Sequence, residues 1–366
     1  MTTTGLRAVL AAGVAALLLT GCASLGYYWQ SVSGHLQLLN AARPVDDWLG
    51  DAQTPAALKT RLALSQRIRS FAVTELKLPD NASYQRYADL QRKAVVWNVV
   101  AAPEFSLTLK TWCFPVAGCV GYRGYFSEAE AVAEAAQLKK QNLEVSVYGV
   151  PAYSTLGWLN WAGGDPLLST FVAYPEGELA RLIFHELAHQ VLYVKGDTAF
   201  NESFATAVER LGSRRWLDSQ ASEEARKAYA VLDGRRQQFR TLALATRREL
   251  AAIYKKNEAV AQDTRTQAAS KSIAIQRFHE NYARLKADWG GYAGYDPWVA
   301  RANNASLGAL AAYDDLVPGF EALFEREGRH WPRFYDAVKR LAGLPEDERH
   351  NALKIHTAYP TGIPHG

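Results

Sequence analysis

The stretch Leu182-Ile183-Phe184-His185-Glu186-Leu187-Ala188-His189-Gln190 decides how this chain is read. Residues four apart on a helix lie one above the other, so His185 and His189 point two imidazoles at one metal ion. Glu186, one residue beyond the first histidine, then reaches a water activated at that ion and is placed as its general base. Apolar residues at 182–184, 187, 188, 191 and 192 predict that the helix is buried. A buried helix does not carry two histidines and a glutamate unless they are paired with something. The periodicity predicts a helix from Glu178 to Val194, with Ile183, Leu187 and Val191 on one side.

A catalytic zinc site takes three protein ligands and leaves a fourth position to water. Twelve residues separate His189 from Glu202, which lies in Asn201-Glu202-Ser203-Phe204-Ala205-Thr206-Ala207-Val208-Glu209. The intervening Tyr193-Val194-Lys195-Gly196-Asp197-Thr198 holds a glycine and turn formers. That is enough chain for the first helix to end, reverse and present a second, 201–211, antiparallel to it. Glu202, in the first turn of the second helix, then faces the two imidazoles as third ligand. Glu209 lies two turns further along the same face, a candidate to hold a ligand imidazole by its second nitrogen or, equally, to form a solvent-facing ion pair.

On these motifs the chain resembles the glutamate-ligand zinc peptidases, the gluzincins. Asn201-Glu202-Ser203-Phe204-Ala205 followed by Glu209 is similar to the Asn-Glu-Gly-Phe-Ala element of the zinc aminopeptidases. More closely, the chain resembles a group of bacterial proteins described as zinc aminopeptidases, often lipoproteins. That resemblance takes in Tyr27-Tyr28, Ala152-Tyr153-Ser154-Thr155-Leu156-Gly157-Trp158, Asp165 to Thr170, both zinc motifs and Asn303-Asn304-Ala305. It implies His185, His189 and Glu202 as ligands of one Zn2+ per chain, Glu186 as the catalytic base and a peptide as substrate. The chain departs from the well-characterised enzymes in its shorter spacing to Glu202, in Ser203 where they carry glycine, and in lacking a Gly-x-Met-Glu-Asn element upstream. Zinc peptidase is therefore the firmer implication, and aminopeptidase the weaker.

Such a site also wants a donor for the developing oxyanion. The candidates are Tyr153, Tyr292, Tyr295, Tyr313 and His279, of which Tyr153 is preferred because it follows a strand and precedes the zinc helix. Residues 148–158 are expected to line the cleft and to bind extended substrate by strand addition.

Further out, Ala56 to Leu76 reads as an amphipathic helix, and Ser127 to Gln141 as a helix opened by a capping box. Strands are expected at Val95–Val100, Glu104–Trp112 and Leu143–Val150. Ser222 to Lys286 is rich in Ala, Arg, Glu, Gln and Lys and predicts a long helical hairpin, and Asn303 to Leu344 is again helical. The expected fold is α+β and mostly helical: a zincin-like (gluzincin) catalytic domain, 46–366, with a small mixed sheet and a hairpin insertion at about 222–286.

At the N-terminus, Ala8 to Leu19 is small and apolar and ends in Leu19-Thr20-Gly21-Cys22, which resembles the bacterial lipobox. It implies a leader, 1–21, an acyl anchor on Cys22 and a docking segment, 22–45. Ala23 stands where an inner-membrane retention signal would place aspartate, which points to an outer-membrane lipoprotein facing the periplasm. There Cys113 and Cys119 can close a small structural disulfide loop. With 48% hydrophobic and 21% charged residues the chain is no disordered or fibrous protein, and a net charge of +4 over 366 residues is too small for a nucleic-acid footprint. Two further readings stay open: an envelope lipoprotein with a vestigial zinc site, and a binding module that uses the hairpin.

Overall fold

A computed structural model describes residues 26–114, 118–152, 154–157, 160–260, 264–311 and 316–357. The leader, Cys22, Tyr153 and Tyr313 lie outside the described residues. In chain order the elements are α1 (26–41), β1 (Arg43–Pro44), α2 (Val45–Gly50), α3 (Ala56–Thr74), β2 (Arg86–Ala88), β3 (Val96–Pro103), β4 (Trp112–Phe114), β5 (Gly118–Val120), β6 (Arg123–Tyr125), α4 (Glu128–Lys139), β7 (Leu143–Val150) and β8 (Leu167–Leu168). After these come α5 (Glu176–Ala188), α6 (Thr198–Gln220), α7 (Glu223–Val260), α8 (Thr264–Asp288), α9 (Asp296–Val299), α10 (Asn304–Ala311), α11 (Val317–Arg326), α12 (Trp331–Ala342) and α13 (Glu346–Thr357). The protein is thus mostly helical with small sheets, an α+β arrangement.

The largest apolar core forms where α3, α5, α6, α11 and α12 meet. Ile68 and Phe71 from α3, Ile183, Phe184 and Leu187 from α5, Phe200, Phe204 and Trp216 from α6, Phe320 from α11 and Phe334 from α12 are all buried there. Side chains of this size contribute about 1.5–3 kcal/mol each on leaving water, which fixes the backbones of α5 and α6 against each other. Helix α6 opens on Asp197, whose carboxylate accepts the Phe200 N–H at 3.0 Å. The long pair α7 and α8 packs on itself through Phe239, Ala243, Leu250, Ala274 and Phe278, as the hairpin reading expects.

Strand β3 pairs antiparallel with β6 on one side and with β7 on the other, in register Val96 opposite Val150. Its alternate side chains serve two layers. Val99 and Ala101 pack beneath α4, and Val100 and Ala102 pack against Ala305 of α10. Helix α4 is capped as expected, with Ser127 accepting the Glu130 N–H.

Three expectations are corrected. Glu104–Trp112 is no strand until its last residue, which opens β4: Pro103 ends β3, and Phe105 and Leu107 turn onto the α7–α8 core while Leu109 packs beneath α10. The first motif helix stops at Ala188 instead of reaching Val194, because the Asn201 side chain claims both the N–H and the C=O of Val194 and holds that segment as a loop. Among the described residues the single small mixed sheet is instead three separate sheets: antiparallel β6-β3-β7, mixed β1-β2-β8 and the hairpin β4-β5.

Candidate metal centre

The C-terminal end of α5, with His185 in its last turn and His189 at its C-cap, and the second turn of α6, which opens at Thr198 and not at the expected Asn201, bring three donors to one point. His185 Nε2 lies 3.2 Å from His189 Nε2 and 3.4 Å from Glu202 Oε2, and His189 Nε2 lies 3.7 Å from Glu202 Oε1. A tetrahedral ion about 2.0–2.1 Å from each donor would hold its ligands about 3.3 Å apart, so the triad fits such an ion without rearrangement. Two imidazole nitrogens and a carboxylate are also the donor set a borderline cation takes.

A second row of side chains sets the first. Glu209 Oε2 lies 2.9 Å from His185 Nδ1, and its other oxygen accepts from Arg181 Nη1 at 2.6 Å. That bond leaves Nε2 as the ring nitrogen facing the other donors. Arg181 also meets Glu178, which Arg236 of α7 holds from the opposite side. Burial alone would raise the Glu209 carboxyl, but Arg181 and His185 outweigh it and bring it down to about 2. Burial likewise disfavours the His185 cation, yet hydrogen bonds to Glu202 and Glu209 and their charges lift it above the usual histidine range. His189 lacks the second carboxylate, so burial takes it down to about 4, and its Nδ1 is buried without a hydrogen-bond partner among the described residues. A neutral His189 is a ready ligand.

Glu186 faces the same space. Burial, against the attraction of His185 and with the repulsion of Glu202, Asp165 and Glu209, pushes its carboxyl up to about 7. A carboxylate poised there is matched to taking up and releasing a proton at neutral pH.

A cleft of about 500 Å³ opens over these groups. One wall is Val150, Pro151, Ala152, Ser154 and Leu156, part of the stretch expected to line it. Strand β7 is the edge of its sheet, as strand addition requires, but Asn303 donates to Val145 O and Arg301 to Val147 O along that edge. The next outward-facing backbone position, Gly149, is therefore where an added strand would begin. The opposite wall is the β4–β5 hairpin, where Cys113 and Cys119 stand opposite each other and are joined by a disulfide. Gly118 has φ of +78°, and a Cβ there would stand 2.7 Å from the Gly196 backbone nitrogen, so only glycine lets the hairpin rest on the loop between α5 and α6. Behind His185 and Glu186 lies a second cavity of about 1000 Å³, with Arg181, Arg236 and Arg240 among its lining and Glu209, Asp233 and Glu321 set among them.

Of the expected oxyanion donors, Tyr292, Tyr295 and His279 are drawn elsewhere. Tyr295 stacks on Phe239 at 4.1 Å, Tyr292 lies under Arg235, and His279 Nε2 meets Val299 O. Aromatic packing between α7, α8 and α9 claims them. In their place the cleft holds Tyr122 and Tyr193. Burial and the Glu202 charge raise both phenols, which keeps them protonated as donors. Tyr122 sits in the short link between β5 and β6, and nothing local in the sequence marks it. Asp165 was missed as well. Its carboxylate accepts the Thr155 N–H at 3.0 Å and the Gln190 side-chain N–H at 3.3 Å, tying the cleft wall to the end of the motif helix. The other donor group, Asp197, Glu346 and His350, is a packing tie: Asp197 caps α6 and accepts from Arg349 and His350.

Fold and site together define a helical α+β protein with a two-histidine, one-glutamate donor triad and a half-buried glutamate beside it. Residues 26–353 match the family described as "Putative aminopeptidase", and the chain belongs to that family. No curated protein and no solved structure matches it.

Proposed function

We propose that this protein is a zinc-dependent aminopeptidase of the gluzincin type, acting on peptides in the periplasm from a lipid anchor on Cys22. The observation that carries this reading is the convergence of His185 Nε2, His189 Nε2 and Glu202 within 3.7 Å of one another, with Glu186 half-buried beside them in a cleft. A zinc ion held there by His185, His189 and Glu202 would lower the pKa of a water and polarise the scissile carbonyl. Glu186 would serve as the base that takes up a proton from the attacking water and returns it to the leaving amine. The hydroxyl of Tyr122 donates to the oxygen on which negative charge develops. Val150 to Ala152 hold the substrate backbone extended across the site, and the Asp165 bonds to Thr155 and Gln190 keep that wall in place.

Elemental analysis of the mature chain, beside His185→Ala and Glu202→Ala, tests the reading. Near one zinc per chain in wild type, lost in both variants together with peptide hydrolysis, is expected. A wild type that binds no zinc after remetallation refutes it. Peptides with free and with acetylated amino termini, run in the same assay, read whether a free amine is required.

A further inference from the structure

Helix α1 presents two different faces. Tyr27, Ser31, Gly34 and Leu38 turn inward. Leu38 is buried, and a Cβ on Gly34 would stand 2.3 Å from the Phe126 ring, so the helix backbone itself lies against the body of the protein. The Tyr27 ring packs on Phe114 and Tyr125 beneath the Arg123 guanidinium. About 145° further round, Tyr28, Trp29, Val32 and Leu36 point away, exposed by 41, 73, 55 and 52%. Tyr28, Val32 and Leu36 repeat every four residues and Trp29 adjoins them, which makes one apolar stripe that no described residue covers. Soluble surfaces scatter large apolar side chains singly; a contiguous stripe marks an interaction surface.

The chain upstream identifies what covers it. Tyr28 follows Cys22 by six residues, a reach of at most about 20 Å even fully extended. Ala8–Leu19 precedes that cysteine. Whether acyl chains on Cys22 or the apolar stretch itself sits in the bilayer, α1 begins within that reach of the membrane. The composition of the stripe suits the position, with Trp and Tyr at headgroup level and Val and Leu toward the acyl chains. We propose that α1 is a bilayer-docking helix, with Tyr28, Trp29, Val32 and Leu36 set into the headgroup–acyl boundary. Its inner face supplies Tyr27 and Ser31 to the cleft wall, so docking holds the peptide cleft at the membrane surface. The inference rests on the membrane anchor of the proposed function and is independent of its metal chemistry.

The test uses the mature chain from Cys22 and vesicles of phosphatidylethanolamine and phosphatidylglycerol. The acylated chain is reconstituted with lipids brominated near the headgroup, and Trp29→Tyr is compared with wild type. A drop in the quenchable share of emission is expected, and an unchanged share overturns the proposal. In the second arm a Cys22→Ser chain, which carries no acyl group, is floated with the same vesicles. Val32→Ser with Leu36→Ser is expected to weaken its binding at least about tenfold while leaving hydrolysis of a soluble peptide unchanged. Equal flotation of the two overturns the proposal, and so does a concentration-dependent dimer that the double variant abolishes without any vesicle binding. The mass of the wild-type chain reports separately whether Cys22 is acylated, so a failed anchor and a failed docking face are told apart.

Discussion

Replacing Glu209 with Gln keeps the shape of the side chain and removes its charge. The wild-type carboxylate serves two donors at once, His185 Nδ1 at 2.9 Å and Arg181 Nη1 at 2.6 Å, while only 6% exposed. An amide has one acceptor oxygen, so in the variant its NH2 faces one of those two donors. Orienting partners of this kind are worth about 10–100-fold in metal affinity, or about 1.4–2.8 kcal/mol. The same substitution has a second signature in the metal-free chain. Glu209 falls from an ordinary 4.5 to about 2 on folding. At about 1.4 kcal/mol per pH unit, that depression contributes about 3 kcal/mol of stability. Because the folded value is the lower one, the contribution is fully present above pH 4.5 and is lost as pH falls toward 2. Zinc affinity is read at pH 7 by competition with a chromophoric chelator, and stability by urea unfolding of the metal-free chain at pH 7 and at about pH 3. Glu209→Gln is expected to weaken zinc by at least tenfold and to flatten the acid side of the stability curve. Affinity within twofold of wild type, with His185→Ala still losing the metal, would refute the role given to this carboxylate.

Glu186→Gln is expected to keep the metal and lose hydrolysis by at least about a hundredfold, because it removes the base and leaves the donor triad intact; metal content and turnover of one preparation check it. The Glu186 carboxyl stands at about 7 in the metal-free chain, and a neighbouring dication favours its charged form. The acid limb of kcat/KM is therefore expected at or below pH 7, with activity falling as pH drops through it, and a limb above pH 7 counts against Glu186 as the base. Tyr122→Phe is expected to lower kcat by about 10²–10³ with little change in KM or zinc content, which steady-state kinetics reads directly. Reducing the Cys113–Cys119 bond frees the β4–β5 wall of the cleft, so KM is expected to rise while zinc content stays constant.

How much of this was legible in the sequence follows from where each signal resides. The donor triad was legible because its parts are local: two histidines one helical turn apart, and a glutamate near the start of the next helix, in its second turn. The position of Glu209, two turns along one helix, was legible for the same reason, but its partner was not: the imidazole and a solvent-facing ion pair stood level until the bond to His185 Nδ1 was seen. The helices of the hairpin needed only composition and period. Long-range partners left no such trace. Arg181 lies one turn before His185, yet its purpose appears only when α6 brings Glu209 back across it. Tyr122 and Asp165 reach the site through sheet pairing and through a bond to Gln190, events set by tertiary packing. Tyr295 and His279 failed as candidates because residue type alone does not tell a hydroxyl or imidazole facing a cleft from one spent on packing.

The same division accounts for the motifs that flank the site. Asn201, one residue before the third donor, holds both polar groups of Val194 with its amide, which ties the loop after α5 to the turn of α6 that carries Glu202. Asn304 does comparable work at a distance, donating to Pro103 O and Glu104 O and accepting from Tyr254, which seats α10 under β3 and steadies the strand that carries β7. Neither asparagine touches the cleft. The site is held by side chains that satisfy backbone groups at the breaks between helices and strands, where an unpaired group would cost about 1–3 kcal/mol. A substitution at Asn201 therefore acts on the donor triad through the loop that sets α5 against α6, and its expected signature is lost zinc in elemental analysis with an unchanged circular dichroism spectrum.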